Sequence, residues 1–250
     1  MGQDKTKTIF LIPFNLQIKG HQPTYEGNPC FIEERLKIFK KYCLNAWKNQ
    51  TNPNFSLLFF CDKNTPNPYK DELLKLENEN KFIKINWDLQ FQELHENFKE
   101  CSIKSIKEIV TDTSKDIIYS RFYNDDIPEI RYVEYLNIVH QTHQSVGFSK
   151  GIYWDINSNK FLDSNFPTGP FISRKSSLED YMNLFSVTHH DFINKMGSVV
   201  ISTKESLWIQ LIHGKNIWNR IERMPGRLYK PSLNYLKTNF ALDGEFKINS

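Results

Sequence analysis

Four short apolar runs in the first 126 residues, each separated from the next by a stretch of helical length, constrain this chain more than any other feature. The runs are Thr8–Leu16, Phe55–Asp62, Lys81–Trp87 and Asp116–Tyr123. Between them lie Phe31–Asn49, with apolar residues at 32, 36, 39, 43, 44 and 47, the charged stretch Tyr69–Glu79, and Phe91–Val110. Apolar recurrence at three and four residues is the mark of a helix packed along one face. Buried strands joined by helices pair in parallel, so the pattern predicts an α/β fold with a sheet held between helices. Ligands of such sheets bind at the carboxyl ends of the strands. The polar residues that end these strands are Asn15, Asp62 and Asn124-Asp125-Asp126, which are expected to face one crevice.

The second half has a different character. Pro128 suits the first turn of a helix over Glu129–Gln144. Val146–Asp155 and Asn159–Asp163, joined by Ile156-Asn157-Ser158, predict an antiparallel hairpin. Thr168–Ser173 and Ser198–Ser202 read as strands, Leu178–Phe185 as a helix, and the basic, aromatic stretch from Arg223 as a surface-lying tail. No repeat, low-complexity segment or linker divides the chain, so a single mixed domain is expected.

Composition narrows the class. At 250 residues, with 39% hydrophobic and 24% charged, the chain can bury a substantial core without staples. A net charge of +3 without clustering excludes a nucleic-acid signature. The longest apolar runs, Ile9–Phe14 and Phe55–Cys61, fall far short of the roughly 18 residues of a membrane span. Met1–Thr8 leads into no signal-type apolar core. Cys30, Cys43, Cys61 and Cys101 are widely spaced, which argues for reduced thiols rather than a disulfide framework or zinc knuckle. A soluble, cytoplasmic protein with at most peripheral membrane contact is expected.

Four features could carry chemistry. Asp125 and Asp126 at the end of an apolar run concentrate charge where Mg²⁺ or Mn²⁺ could be held with phosphate oxygens; equally, they could cap the helix opened by Pro128. His213 could ligate such an ion or be an ordinary residue, and Gly214 beside it would let backbone approach a phosphate. His189-His190-Asp191 offers a base or a solvated acid; in a strand its two histidines would point to opposite faces. Arg35 could face phosphate, or share a solvated basic face with Lys37, Lys40 and Lys41. No GxGxxG, P-loop lysine motif or G-x-S-x-G is present.

Taken in order, several short motifs resemble the rhamnosyltransferase family. They are Asn15, Arg35-Leu36 with Phe39 and Tyr42-Cys43-Leu44, Gln50 with Phe55, Phe60-Cys61-Asp62 with Thr65-Pro66, and Arg121 with Asn124-Asp125-Asp126. Trp208-Ile209-Gln210, His213-Gly214, Asn216 and Asn219-Arg220 complete the match, which covers residues 8–222. The resemblance implies a GT-A-like fold, that is, a Rossmann-type mixed sheet flanked by helices. Residues 8–126 would form the nucleotide-binding half, 127–222 the acceptor and catalytic half, and 223–250 a C-terminal tail.

It also implies a glycosyltransferase, inverting in mechanism, moving a sugar such as rhamnose from a nucleotide donor to a glycan or lipid-linked acceptor. Asn15, Arg35, Asp62, Thr65, Arg121, Asn124, Asp125 and Asn216 would bind the donor, and Asp126 with His213 would hold Mn²⁺ or Mg²⁺. Tyr123 stands where the family pattern has an acid, which argues against strong metal dependence. The segment Gly169–Leu178 resembles the strand and basic turn that precede the base of inverting enzymes by about a dozen residues. Counting on reaches Asp191, with Glu205 second and Glu179 or Asp180 behind it. A sugar-nucleotide-binding protein without turnover and a metal-dependent phosphoesterase are the competing readings.

Overall fold

The protein is described by a computed structural model over residues 6–16, 29–89, 97–110, 112, 115–167, 169–194, 196–213 and 221–242. Two sheets organise it. The strand β1 (Thr8–Pro13) is buried along its whole length and lies between two parallel neighbours, β2 (Phe55–Asp62) and β4 (Ile117–Arg121). β3 (Ile83–Leu89) adds to β2, also in parallel. The helices that make these crossovers are α1 (Pro29–Ile38) with α2 (Leu44–Lys48), α3 (Asn67–Glu79) and α4 (Phe98–Ile109). A sheet whose strands are apolar on both faces needs cover on both, which is why the first half alternates as it does.

The helix expected over 31–49 is interrupted by a π-helical turn, Phe39–Cys43, where the Leu44 N–H reaches back to the Phe39 carbonyl. Ile32, Leu36, Phe39, Cys43 and Trp47 are all buried. They recur at 4, 3, 4 and 4 residues, slightly longer than the pitch of an α-helix. One wide turn keeps all five on the core face, a common use of a π-bulge.

The remaining strands divide between the sheets. The first has the order β10-β6-β9-β4-β1-β2-β3 and the second β12-β8-β7-β11-β5. The later strands are β5 (Asp126–Pro128), β6 (Ser145–Phe148), β7 (Lys150–Asp155), β8 (Lys160–Asn165), β9 (Ile172–Ser176), β10 (Val199–Ile201), β11 (Trp208–Ile212) and β12 (Arg227–Tyr229). The mixed sheets with flanking helices are the α/β architecture expected. The hairpin is also present, as β7 antiparallel to β8. The run Val146–Asp155, however, breaks at Ser149 and serves both sheets, β6 in the first and β7 in the second.

Three expectations from local pattern are corrected. Pro128 does not open a helix: residues 126–128 pair with β11 at the edge of the second sheet, where a missing N–H is tolerated, and α5 is confined to Tyr132–Val139. Asp125 and Asp126 therefore cap no helix. The stretch 178–185 is a series of turns. Leu178, Tyr181 and Leu184 are buried at helical spacing, but the Ser177 hydroxyl takes the Asp180 N–H and the Asn183 side chain takes the Phe185 N–H. Such side chains compete with the helix ladder. The stretch after Arg223 is not merely laid on the surface, because β12 pairs with β8 and α7 (Leu233–Phe240) buries Leu236 and Phe240. Its start is capped by Ser232, which accepts the Tyr235 N–H at 3.1 Å.

Trp208 joins the layers. Fully buried on β11, it donates its indole N–H to the Phe148 carbonyl of β6 at 3.0 Å and packs edge-on against Phe171 and Tyr153. It lies so close over Gly151 that a Cβ there would come within 2.1 Å of the ring. Gly151→Ala should therefore destabilise the protein by about 1–3 kcal/mol through overpacking, read as a lower denaturant midpoint at unchanged slope.

Candidate functional site

The carboxyl ends of β1 and β4 meet where the strand order reverses, with β2 and β3 on one side of β1 and β4 on the other, a topological switch of the kind that houses ligands. Two polar groups form there. In the first, the Asn15 side chain donates to the Thr65 hydroxyl at 2.9 Å and accepts the Asp62 N–H at 3.0 Å. The Thr65 hydroxyl in turn donates to the Asp62 carbonyl, and the Asp62 carboxylate takes the Asn64 N–H at 2.7 Å. Asn15 and Asp62, two of the strand-end residues singled out by sequence, thus make one network with Thr65 that fixes the β2 turn.

The second group is charged. Arg35, in the last turn of α1 and 9% exposed, forms an ion pair with Asp125 and donates to the Asn124 side chain at 3.3 Å. The Asn124 side-chain amide in turn donates to the Phe14 carbonyl, just beyond β1, at 2.9 Å. His213, just beyond β11, places Nε2 3.1 Å from Oδ2 of Asp125, the same oxygen that Arg35 holds. Burial alone would raise the Asp125 carboxyl, but the Arg35 charge and the His213 bond outweigh it and hold the group down to about 2. Its neighbour behaves oppositely: burial, followed by repulsion from Asp125, pushes Asp126 well above the usual carboxylate range.

The geometry changes the expected metal pair. His213 meets Asp125 rather than Asp126. Asp126 points along β5 to the second sheet, where the Gln210 side chain and the Leu211 N–H bond to it. Two ligands each about 2.1 Å from one ion at a right angle lie about 3.0 Å apart. The Asp125–His213 separation of 3.1 Å is also that of the hydrogen bond that lowers Asp125, so to hold an ion at that spacing His213 would give up the Nε2 proton and present its lone pair in the other tautomer. Among the described residues no three His, Cys, Asp or Glu side chains converge, so protein alone would leave most of a coordination shell to other oxygens.

The other predicted residues are placed elsewhere. Arg121 is 7% exposed, and its guanidinium donates to the carbonyls of Leu184 and Val187 at 3.1 and 3.2 Å. It lies opposite Leu11 in the sheet and supports the turns that lead into α6 (His189–Asn194). Asp191 sits in the first turn of α6, where it exchanges bonds with Thr188: the Thr188 hydroxyl donates to its carboxylate at 2.9 Å and accepts its N–H at 3.1 Å. His189 and His190 open this helix, so the strand geometry expected for them does not apply. Glu205 is exposed and paired with Arg131, which also binds the fully buried Glu129. Tyr123 packs its ring against Phe171 and Phe185, and burial raises its phenol. Gly214 and Asn216 lie outside the described residues.

A separate polar cleft of about 270 Å³ opens at the amino end of β4, lined by Asp116, His140, His143, Lys175 and Asp180 among others. His140 has both ring nitrogens engaged there, with the His143 carbonyl and the Ser173 hydroxyl, and burial lowers it to about 4. No signal along the chain singles out the pairing of Asp125 with His213, because it spans 88 residues.

Comparison with known proteins gives three findings. A family model described as "Putative rhamnosyl transferase" matches residues 23–224. No curated protein matches. Among solved structures, S. aureus TarS 1-349 is similar at 10% identity and a TM-score of 0.47, over 82% of this chain and 60% of the other. The same protein in complex with UDP gives 10% identity and 0.48, over 83% and 60%. A structure described as a "putative nucleotide-diphospho-sugar transferase from Desulfovibrio desulfuricans G20" gives 7% and 0.39, over 84% and 82%. The chain spans about 60% of the TarS chains it matches.

Proposed function

The chain belongs to the rhamnosyl transferase family, and from that premise we propose that it is an inverting glycosyltransferase, moving a hexose such as rhamnose from a nucleoside diphosphate to a hydroxyl of a glycan or lipid-linked glycan. The observation that carries this reading is the meeting of Arg35, Asn124, Asp125 and His213 beside the carboxyl end of β4. A cation and a carboxylate–imidazole pair at a switch point suit a diphosphate better than a neutral ligand.

In this reading Asn15, Asp62 and Thr65 line the base and ribose side, and Arg35 reaches the diphosphate. Asp125 and His213 would hold Mn²⁺ or Mg²⁺, which when bound offsets charge building on the departing diphosphate. Asp126 and Asn216, expected as metal and donor ligands, become respectively a strut between β5 and β11 and a proposed donor contact. Arg121 acts through the segment it supports. Once bound to the diphosphate, the guanidinium is already oriented when the bond breaks, and this is the source of its effect. No helix among the described residues is long and apolar enough to cross a membrane, so a lipid-linked acceptor would be met at the surface.

The base is proposed to be Asp191, because the bonds of Arg121 to residues 184 and 187 tie its helix to the strand that ends in the donor site. Glu205 is engaged by Arg131 instead. Asp191→Asn should lower kcat by on the order of 10²–10⁴ while donor binding survives, and Glu205→Gln should act like wild type. The reverse result would move the role to Glu205. The activity itself is tested by release of nucleoside diphosphate from a set of UDP-, dTDP- and GDP-sugars, with and without acceptor. Binding without release would favour a non-catalytic sugar-nucleotide binder, and cleavage of simple phosphodiesters would favour a phosphoesterase.

A further inference from the structure

We propose that Arg35 is a resident counter-ion that blocks the cation position on Asp125, and that the diphosphate of the donor must draw it away before a divalent ion can be held. This rests on the reading of the site as a donor site. The observation behind it is that one oxygen has two claimants. Oδ2 of Asp125 is the oxygen beside His213, hence the one a shared ion would use, and it is also the oxygen paired with Arg35.

A guanidinium is always charged, so the carboxylate it holds presents no surplus negative charge to a dication. An ion placed on that oxygen would also stand against the guanidinium, and like charges at a few ångströms in a buried site repel strongly. Arg35 has somewhere to go. Both its contact with Asp125 and its bond to Asn124 run through the same nitrogen, Nη1, so moving to a diphosphate releases the two together, while the Asn124 side chain stays in place on its own bond to the Phe14 carbonyl. A diphosphate offers it a bidentate partner of higher charge than one carboxylate. The order that follows is nucleotide first, cation second.

The experiment is a Mn²⁺ titration followed by the resonance of free Mn²⁺, with no nucleotide present, on wild type and Arg35→Met. The variant should bind Mn²⁺ about 5–150-fold more tightly than wild type, the ordinary range for coupling between neighbouring sites. A further Asp125→Asn change should remove the gain. Equal or weaker binding by Arg35→Met would overturn the proposal. A second measurement needs only the wild type: the Arg35 Nε–H signal in a ¹⁵N spectrum should shift on adding UDP, dTDP or GDP without metal. A nucleotide that binds, as judged by a raised melting temperature, and leaves that signal in place would also overturn it. Failure of all three nucleotides to bind wild type even with Mn²⁺ would instead defeat the donor-site reading, and the Mn²⁺ titration of the two proteins would still decide the competition.

Discussion

Asp125→Asn should cost this protein both activity and stability, whereas the same change at Asp126 should cost little of either. Removing the Asp125 charge takes the carboxylate of this ion pair from Arg35 in a site that is nearly closed to water. Breaking one side of a buried ion pair typically destabilises by about 3–5 kcal/mol. Turnover should fall by on the order of 10²–10³, the usual effect of deleting one preorganised electrostatic group. Burial and the neighbouring Asp125 raise the Asp126 carboxyl and so disfavour its charged form, and an amide of the same shape should replace it at smaller cost.

The two acids also predict opposite pH behaviour. A carboxyl held at about 2 when folded stabilises the protein above its unfolded value near 4, and that contribution is lost as pH falls from about 4 to 2. A carboxyl raised on folding opposes stability increasingly as pH climbs above its unfolded value. Asp125→Asn should therefore flatten the acid limb of the stability curve, and Asp126→Asn should relieve the penalty towards neutral pH. Denaturant unfolding between pH 2.5 and 8 measures both. Identical curves for the two variants would refute the division of roles.

The second large effect is expected at Trp208→Ala. A fully buried indole between the sheets is lost together with its bond to the Phe148 carbonyl. Large-to-small changes of this kind cost about 3–5 kcal/mol, a sizeable share of the roughly 5–15 kcal/mol that holds a typical domain together. Thermal unfolding should move down by on the order of 10 °C. Trp208→Phe keeps most of the apolar contact and should lose only the hydrogen bond. If Phe proved as damaging as Ala, the indole N–H would matter more than the packing.

The first half of the fold was readable because each of its elements has an intrinsic pattern: β1 and β2 are uninterrupted apolar runs, and their crossovers carry helical periodicity. The turns at 178–185 and the short α5 were not, because there local spacing says helix while side-chain competition and strand pairing decide otherwise. The break at Ser149 was equally hidden. A continuous apolar run does not reveal that its two halves serve different sheets, since membership is settled by partners far away in sequence.

The site followed the same rule. Asn15, Asp62 and Thr65 could be grouped because all follow buried strands and lie near turns. Arg35 looked like part of a solvated basic face, since its neighbours Lys37 and Lys40 are exposed and paired with Glu33 and Glu72 on the surface. Only Arg35 falls on the buried side of the helix, and its partners lie some ninety residues away. Choosing between Asp125 and Asp126 required knowing that β5 turns the second acid toward Gln210, which no spacing in the first half encodes.

The distances along the chain between the members of the charged group set when the site can exist during synthesis. Asn124 follows Arg35 by 89 residues, and His213 follows Asp125 by 88. A nascent chain can begin pairing β1 through β4 long before β11 has left the ribosome. Until His213 emerges, Asp125 has its cation but no imidazole beside it. In the proposed reading, holding a cation on Asp125 therefore waits for β11, whereas the pairing of Arg35 with Asp125 does not.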